Sequence, residues 1–215
     1  MHTIAMKHIV LLGDSIFDNA AYVGGGPAVI QQLRAKLPPA WQSTLLAVDG
    51  SMAQDVPRQL ERLQSDATHL VLSIGGNNAL DHVNILSESA RSAAEALSRL
   101  GEVGERFRQL YHETIRAVLS RNLPTAVCTI YYPNFPDPTL QQIAKTALTI
   151  FNDVIIVEAF AAGVPLIDLR LVCSEAEDYA NEIEPSSAGG EKITSAILRL
   201  VSEHRFECKR TEVFF

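Results

Sequence analysis

The chain has 215 residues, 47% of them hydrophobic and 20% charged, with a formal net charge of -7 at pH 7. This composition excludes a disordered chain, which lacks apolar residues to bury. The acidic balance, with Lys and Arg scattered, argues against a phosphate-tracking surface, so no nucleic-acid partner is expected and the charge is read as solubility.

The first apolar run, Ile9 to Leu12, predicts a strand that leads directly into Gly13-Asp14-Ser15. It is too short for the core of a signal peptide. Gly24-Gly25-Gly26 lacks a following G-K-[ST], so it is no phosphate loop and reads as a lead-in to a helix starting at Pro27, with Val29, Ile30, Leu33 and Leu37 on one face. Thr44 to Val48 predicts the second strand, and Val56, Leu60 and Leu63 a second helix. A third strand is predicted over Leu70 to Ile74, followed by an extra helix over Asn84 to Leu100 and a longer one carrying Val103, Phe107, Leu110, Thr114 and Val118. Strand four is predicted over Ala126 to Tyr131 and strand five over Val164 to Leu169. Between them lies a helix with Leu140, Ile143, Ala147, Phe151, Val154 and Ile155 inward, and a last helix carries Ile193, Ala196, Ile197, Leu200 and Val201. The tail from Glu203 to Phe215 either docks on a neighbour or frays.

Near-continuous apolar strands alternating with amphipathic helices predict a three-layer α/β/α sandwich around a doubly wound, five-stranded parallel sheet with the flavodoxin-like order 2-1-3-4-5. Nothing internal reads as a linker, so residues 1–215 are expected to form one domain. No stretch approaches the ~20 apolar residues that span a bilayer, so membrane insertion is not expected and a cytoplasmic location is. Cys128, Cys173 and Cys208 are odd in number and widely spaced, which suggests neither a disulfide framework nor a zinc site.

Sites in this architecture form beyond the carboxyl ends of the strands, where strand order reverses. Delivered to that rim are Gly13-Asp14-Ser15, Asp49-Gly50-Ser51, Gly75-Gly76-Asn77-Asn78, the aromatic stretch Tyr131 to Pro136, and the loop with Asn181 and Glu184. A hydroxyl beside neutral donors is what acyl transfer requires. Taken singly, Ser15 also suits a helix cap and the glycines suit turns. A nucleotide-binding module is disfavoured, because no Gly-rich phosphate turn follows the first strand.

Gly13-Asp14-Ser15-Ile16-Phe17-Asp18, then Gly50, then Gly75-Gly76-Asn77, in order and each at a strand end, resemble the first three blocks of the SGNH or GDSL hydrolases. The resemblance implies that Ser15 is the nucleophile and that its own backbone N–H, the backbone N–H of Gly50 and the side-chain amide of Asn77 form the oxyanion hole. It implies a small-molecule ester as substrate and no cofactor or metal. Asp14 is expected to tie loop amides together beside the substrate. Tyr131, Tyr132 and Phe135 are expected either to line a substrate pocket or to cap the core edge.

The fourth block departs from the family. Where it has D-x-x-H-P, this chain has Asn181-Glu182-Ile183-Glu184-Pro185, so Glu184 occupies the base position and Asn181 the position of the residue that orients it. Glutamate is less basic than imidazole by about two pK units, which burial can offset. Asn181 is expected to hold Glu184 by a hydrogen bond. His82, beside Asp81, is a second candidate base. His112 lacks the partner of an H-E-x-x-H pair and is expected to face solvent. Asn78 stands where the family has aspartate. Two readings stay open: a serine hydrolase with Glu184 as an atypical base, and a weak or inactive relative that binds an acyl or carbohydrate ligand.

Overall fold

The computed structural model describes residues 6–215. In chain order the elements are β1 (Lys7–Gly13), α1 (Val29–Lys36), β2 (Trp41–Leu45), α2 (Val56–Leu60), β3 (His69–Ser73), α3 (Gly76–Asp81), α4 (Ala93–Leu119), β4 (Thr125–Cys128), α5 (Pro138–Ala162), β5 (Leu166–Ile167), α6 (Leu169–Val172), α7 (Ser187–Glu203) and β6 (Val213–Phe214). The strands form one sheet in the order β2-β1-β3-β4-β5-β6, every neighbouring pair parallel.

The three layers follow from the strands' alternation. Ile9 and Leu11 of β1 point into one core with Val29, Leu33, Ile193 and Ile197 of α1 and α7. Val10 and Leu12 point into the other, with Leu60, Phe107, Ile115 and Ile155 of α2, α4 and α5. Both faces of the sheet are thus covered, so its central strands β1, β3 and β4 are buried on both sides, while the edge strands β2 and β6 are partly exposed.

The expected order of the first five strands is observed, and the tail adds a sixth: it docks, with Leu166 paired to Val213 and Ile167 to Phe214. Strand ends differ from the sequence reading where the ladder is interrupted. Leu46 and Ala47 both donate to the Leu11 carbonyl, so two residues face one and β2 stops at Leu45. Asp168 accepts from the Arg170 N–H at 3.2 Å and starts α6, which cuts β5 to two residues.

The expected extra helix over Asn84 to Leu100 does not exist as a unit. Residues Val83–Ser87 form a 3-10 turn, Glu88 to Ser92 are not helical, and only Ala93 to Leu100 belong to α4. The Ser92 hydroxyl caps the Glu95 N–H at 3.1 Å while Glu95 reaches back to the Arg91 N–H at 2.9 Å, a reciprocal cap that starts α4 at Ala93. Gly104 does not break this helix. A Cβ there would lie 2.5 Å from Ile150 Cγ2, so the glycine lets α4 and α5 approach.

Among the described residues no helix is long and apolar enough to cross a membrane.

Candidate active site

The switch point of this sheet lies between β1 and β3, whose neighbours run outward in opposite directions. Gly13 ends β1 opposite Ser73, with φ +127°. A Cβ on it would fall 1.7 Å from the Ser73 carbonyl oxygen, so only glycine lets the chain turn here and present Ser15 at the rim.

Ser15 Oγ donates a hydrogen bond to Glu184 Oε1 at 3.1 Å, although the two residues are 169 positions apart. Both are buried. Burial pushes the Glu184 carboxyl up to about 7; the bond from Ser15 opposes this and the negative charge of Asp49 adds to it. Glu184 Oε2 is buried with no hydrogen-bond partner. Asp14 is also raised to about 7, again mainly by burial. The Ile16 N–H, which its Oδ1 accepts at 3.2 Å, pulls the other way, and the charge of Glu184 adds to the rise.

Asn77 Nδ2 donates to the Ser51 carbonyl at 3.0 Å, which brings the loop after β3 against the loop after β2. Its amide has a second N–H. Gly50 is exposed, with φ +77°. Among the described residues the backbone N–H groups of Ser15 and Gly50 donate to no acceptor in the chain. A hydroxyl hydrogen-bonded to a carboxyl raised to about 7, with the Asn77 amide lining the same cavity, can give up its proton to that carboxylate.

Asn181 does not hold the Glu184 carboxylate. Its Oδ1 accepts the backbone N–H groups of Ile183 at 2.9 Å and Glu184 at 3.0 Å, so it shapes the loop instead. Tyr131 is buried, and its hydroxyl donates to the Ile183 carbonyl at 2.5 Å from the adjacent strand end. Tyr131 and Phe135 line a cavity with Ser15, and Tyr132 does not. Successive residues of an extended chain point to opposite sides, so with Tyr131 inward Tyr132 turns out, where Lys145 Nζ lies 5.4 Å from its ring centroid. His82 lines the same cavity, yet no hydrogen bond joins it to Ser15. His112 is half exposed and contacts Glu158 at 2.8 Å. Among the described residues no group of three or more His, Cys, Asp or Glu side chains is placed to hold a metal ion.

The sequence model of the GDSL-like lipase/acylhydrolase family matches residues 11–192. The chain belongs to this family. No curated protein sequence matches it. Its fold is similar to that of a member of the lipolytic protein G-D-S-L family from Veillonella parvula, at 17% identity and a TM-score of 0.67 over 93% of this chain and 100% of that one. It is also similar to phospholipase A1 from Streptomyces albidoflavus, at 16% identity and a TM-score of 0.65 over 93% and 100%. A third similar structure is the psychrotrophic esterase EstA from Pseudoalteromonas, at 15% identity and a TM-score of 0.64 over 92% and 100%.

Two residues that support this GDSL-family site were not read from the sequence, and a third was read only as a departure from the family. Gln59, buried on α2, accepts from the Gly13 N–H at 2.8 Å and donates to the Gly13 carbonyl at 2.7 Å and to Ser51 Oγ at 3.2 Å, clamping the loops after β1 and β2. Its signal was a polar residue on the apolar stripe of Val56 and Leu60. Asn19 is fully buried; it accepts the Val29 N–H at 2.9 Å and donates to the Pro185 carbonyl at 3.1 Å, anchoring the chain next to Glu184. No local pattern marks it. Asn78, noted only for differing from the family's aspartate, accepts the Ala53 N–H at 2.9 Å. A neutral amide oxygen therefore serves here as the acceptor.

Proposed function

We propose that this GDSL-family protein is a serine hydrolase that cleaves a small carboxylic ester through an acyl-Ser15 intermediate, with Glu184 as general base and all of residues 1–215 acting as one unit. The observation that carries the reading is the buried 3.1 Å hydrogen bond from Ser15 Oγ to Glu184 Oε1. Glutamate in water is too weak a base to replace histidine, but a carboxyl raised to about 7 lies close to the ~6.5 of free imidazole. Burial restores what the substitution removes.

In this mechanism Glu184 accepts the Ser15 hydroxyl proton as Oγ bonds to the ester carbonyl carbon. The carbonyl oxygen, now negative, takes hydrogen bonds from the N–H groups of Ser15 and Gly50 and from Asn77 Nδ2. Collapse of the tetrahedral species breaks the bond to the alcohol oxygen, which receives the proton from Glu184. Water then attacks the acyl-serine with Glu184 again accepting the proton; the bond from the acyl carbon to Ser15 Oγ breaks, Oγ takes the proton back from Glu184, and the carboxylic acid leaves. Asn181 contributes by fixing the turn that aims Glu184.

The test is labelling with a fluorophosphonate, which reacts with an activated serine. Stoichiometric modification at Ser15, lost in Glu184→Ala, is expected. An unlabelled protein without esterase activity would instead favour a relative that keeps the pocket only to bind a ligand.

A further inference from the structure

The cavity reached from Ser15 extends well beyond the hydrogen-bonding groups around that residue. Its volume is about 130 Å³. Asp14, Ser15, Asn77 and Glu184 form its polar end. Away from them it runs between α3, the 3-10 turn, α4 and α5, lined by Ile85, Leu86, Leu100, Val103, Leu148 and Phe151. Leu80 and Val83, which also line it, are 40% and 46% exposed.

We infer that the acyl part of the substrate is a medium-length hydrocarbon chain, seated in this cavity between α3, α4 and α5. The inference rests on the reading of Ser15 as the residue that becomes acylated. Chemistry assigns the cavity to the acyl side. The leaving alcohol and the water that later attacks share one path, because deacylation runs the same displacement with water in the alcohol's place. Apart from His82, the lining beyond the polar end is aliphatic or aromatic and offers water no partners. That path must therefore open on the polar side, where Asp49 and Asp18 stand, and the apolar side is left for the chain that stays attached to Ser15.

Burying each further methylene is worth roughly two- to fourfold in kcat/KM. With p-nitrophenyl esters from acetyl to decanoyl, kcat/KM should therefore rise by about 20- to 200-fold between acetyl and hexanoyl. Ala147, half-buried in the cavity wall, is the place to shorten it. Ala147→Phe should lower the octanoyl-to-acetyl ratio at least tenfold, and Ala147→Val, a smaller change, should lower it less. Hydrolysis with a flat or acetyl-favouring profile overturns the inference while leaving the serine mechanism standing. If Ser15 proves unreactive, calorimetry on Ser15→Ala decides the cavity separately. Octanoate binding that weakens in Ser15→Ala/Ala147→Phe supports an acyl site, and absence of octanoate binding overturns it.

Discussion

Two halves of the rim around Ser15 are held in different ways. On one side the loops after β1, β2 and β3 carry the family's residues and are cross-tied by buried amides, Gln59 to Gly13 and Ser51, Asn78 to Ala53, and Asn77 to the Ser51 carbonyl. On the other side, the loop after α6 has lost both letters of the family's fourth block, yet Glu184 still meets Ser15. That loop is held through its backbone: Asn19 grips the Pro185 carbonyl, Tyr131 the Ile183 carbonyl, and Asn181 two N–H groups. The position of Glu184 is thus set by backbone contacts of its loop that do not involve its own side chain.

If this division is right, changing the base removes activity without removing the fold. Glu184→Gln should lower kcat/KM for an activated ester by at least ~10³-fold. The same variant should gain stability at alkaline pH. The carboxyl titrates near 7 in the native state and at 4.5 when unexposed to burial, so the native state binds more protons between those values and wild-type stability falls as pH rises through that window. Above pH 7 chemical denaturation should find Glu184→Gln more stable by on the order of 1–3 kcal/mol, and the advantage should vanish below pH 4.5. A variant that loses activity and is also less stable at pH 8 would mean that Glu184 is chiefly structural.

The other half of the rim should fail differently. Gly13→Ala places a Cβ against the Ser73 carbonyl at a left-handed φ, so a loss of ~3 kcal/mol or more in stability is expected, seen as a lowered denaturation midpoint along with lost activity. Asn19→Ala leaves the Pro185 carbonyl and Val29 N–H without their partner; a cost of about 1–3 kcal/mol and a fall in kcat larger than any rise in KM would mark it as positioning Glu184.

The smallest effect is the most specific. For wild type, kcat/KM should rise with pH through an apparent pKa near 7, since Glu184 acts as the anion. Asp49→Asn removes a negative charge that raises Glu184 and should shift that midpoint downward by a few tenths of a unit. An unchanged midpoint would detach the profile from Glu184.

Sequence by itself determined the layers, the order of the first five strands and the loops that form the rim. Apolar periodicity and turn residues are local signals, and parallel crossovers leave few ways to connect them. It also marked Ser15, Asn77 and Glu184, through their resemblance to the motif blocks of the GDSL family. Tertiary structure alone decided how those residues are served. The pairing of Val213 and Phe214 with β5, the grip of Asn19 on Pro185 and the cavity wall of Leu100 and Leu148 all join positions distant in the chain. The basicity of Glu184 belongs to the same class: a carboxyl pKa is set by the water its neighbours exclude, and no residue beside it in sequence specifies that burial.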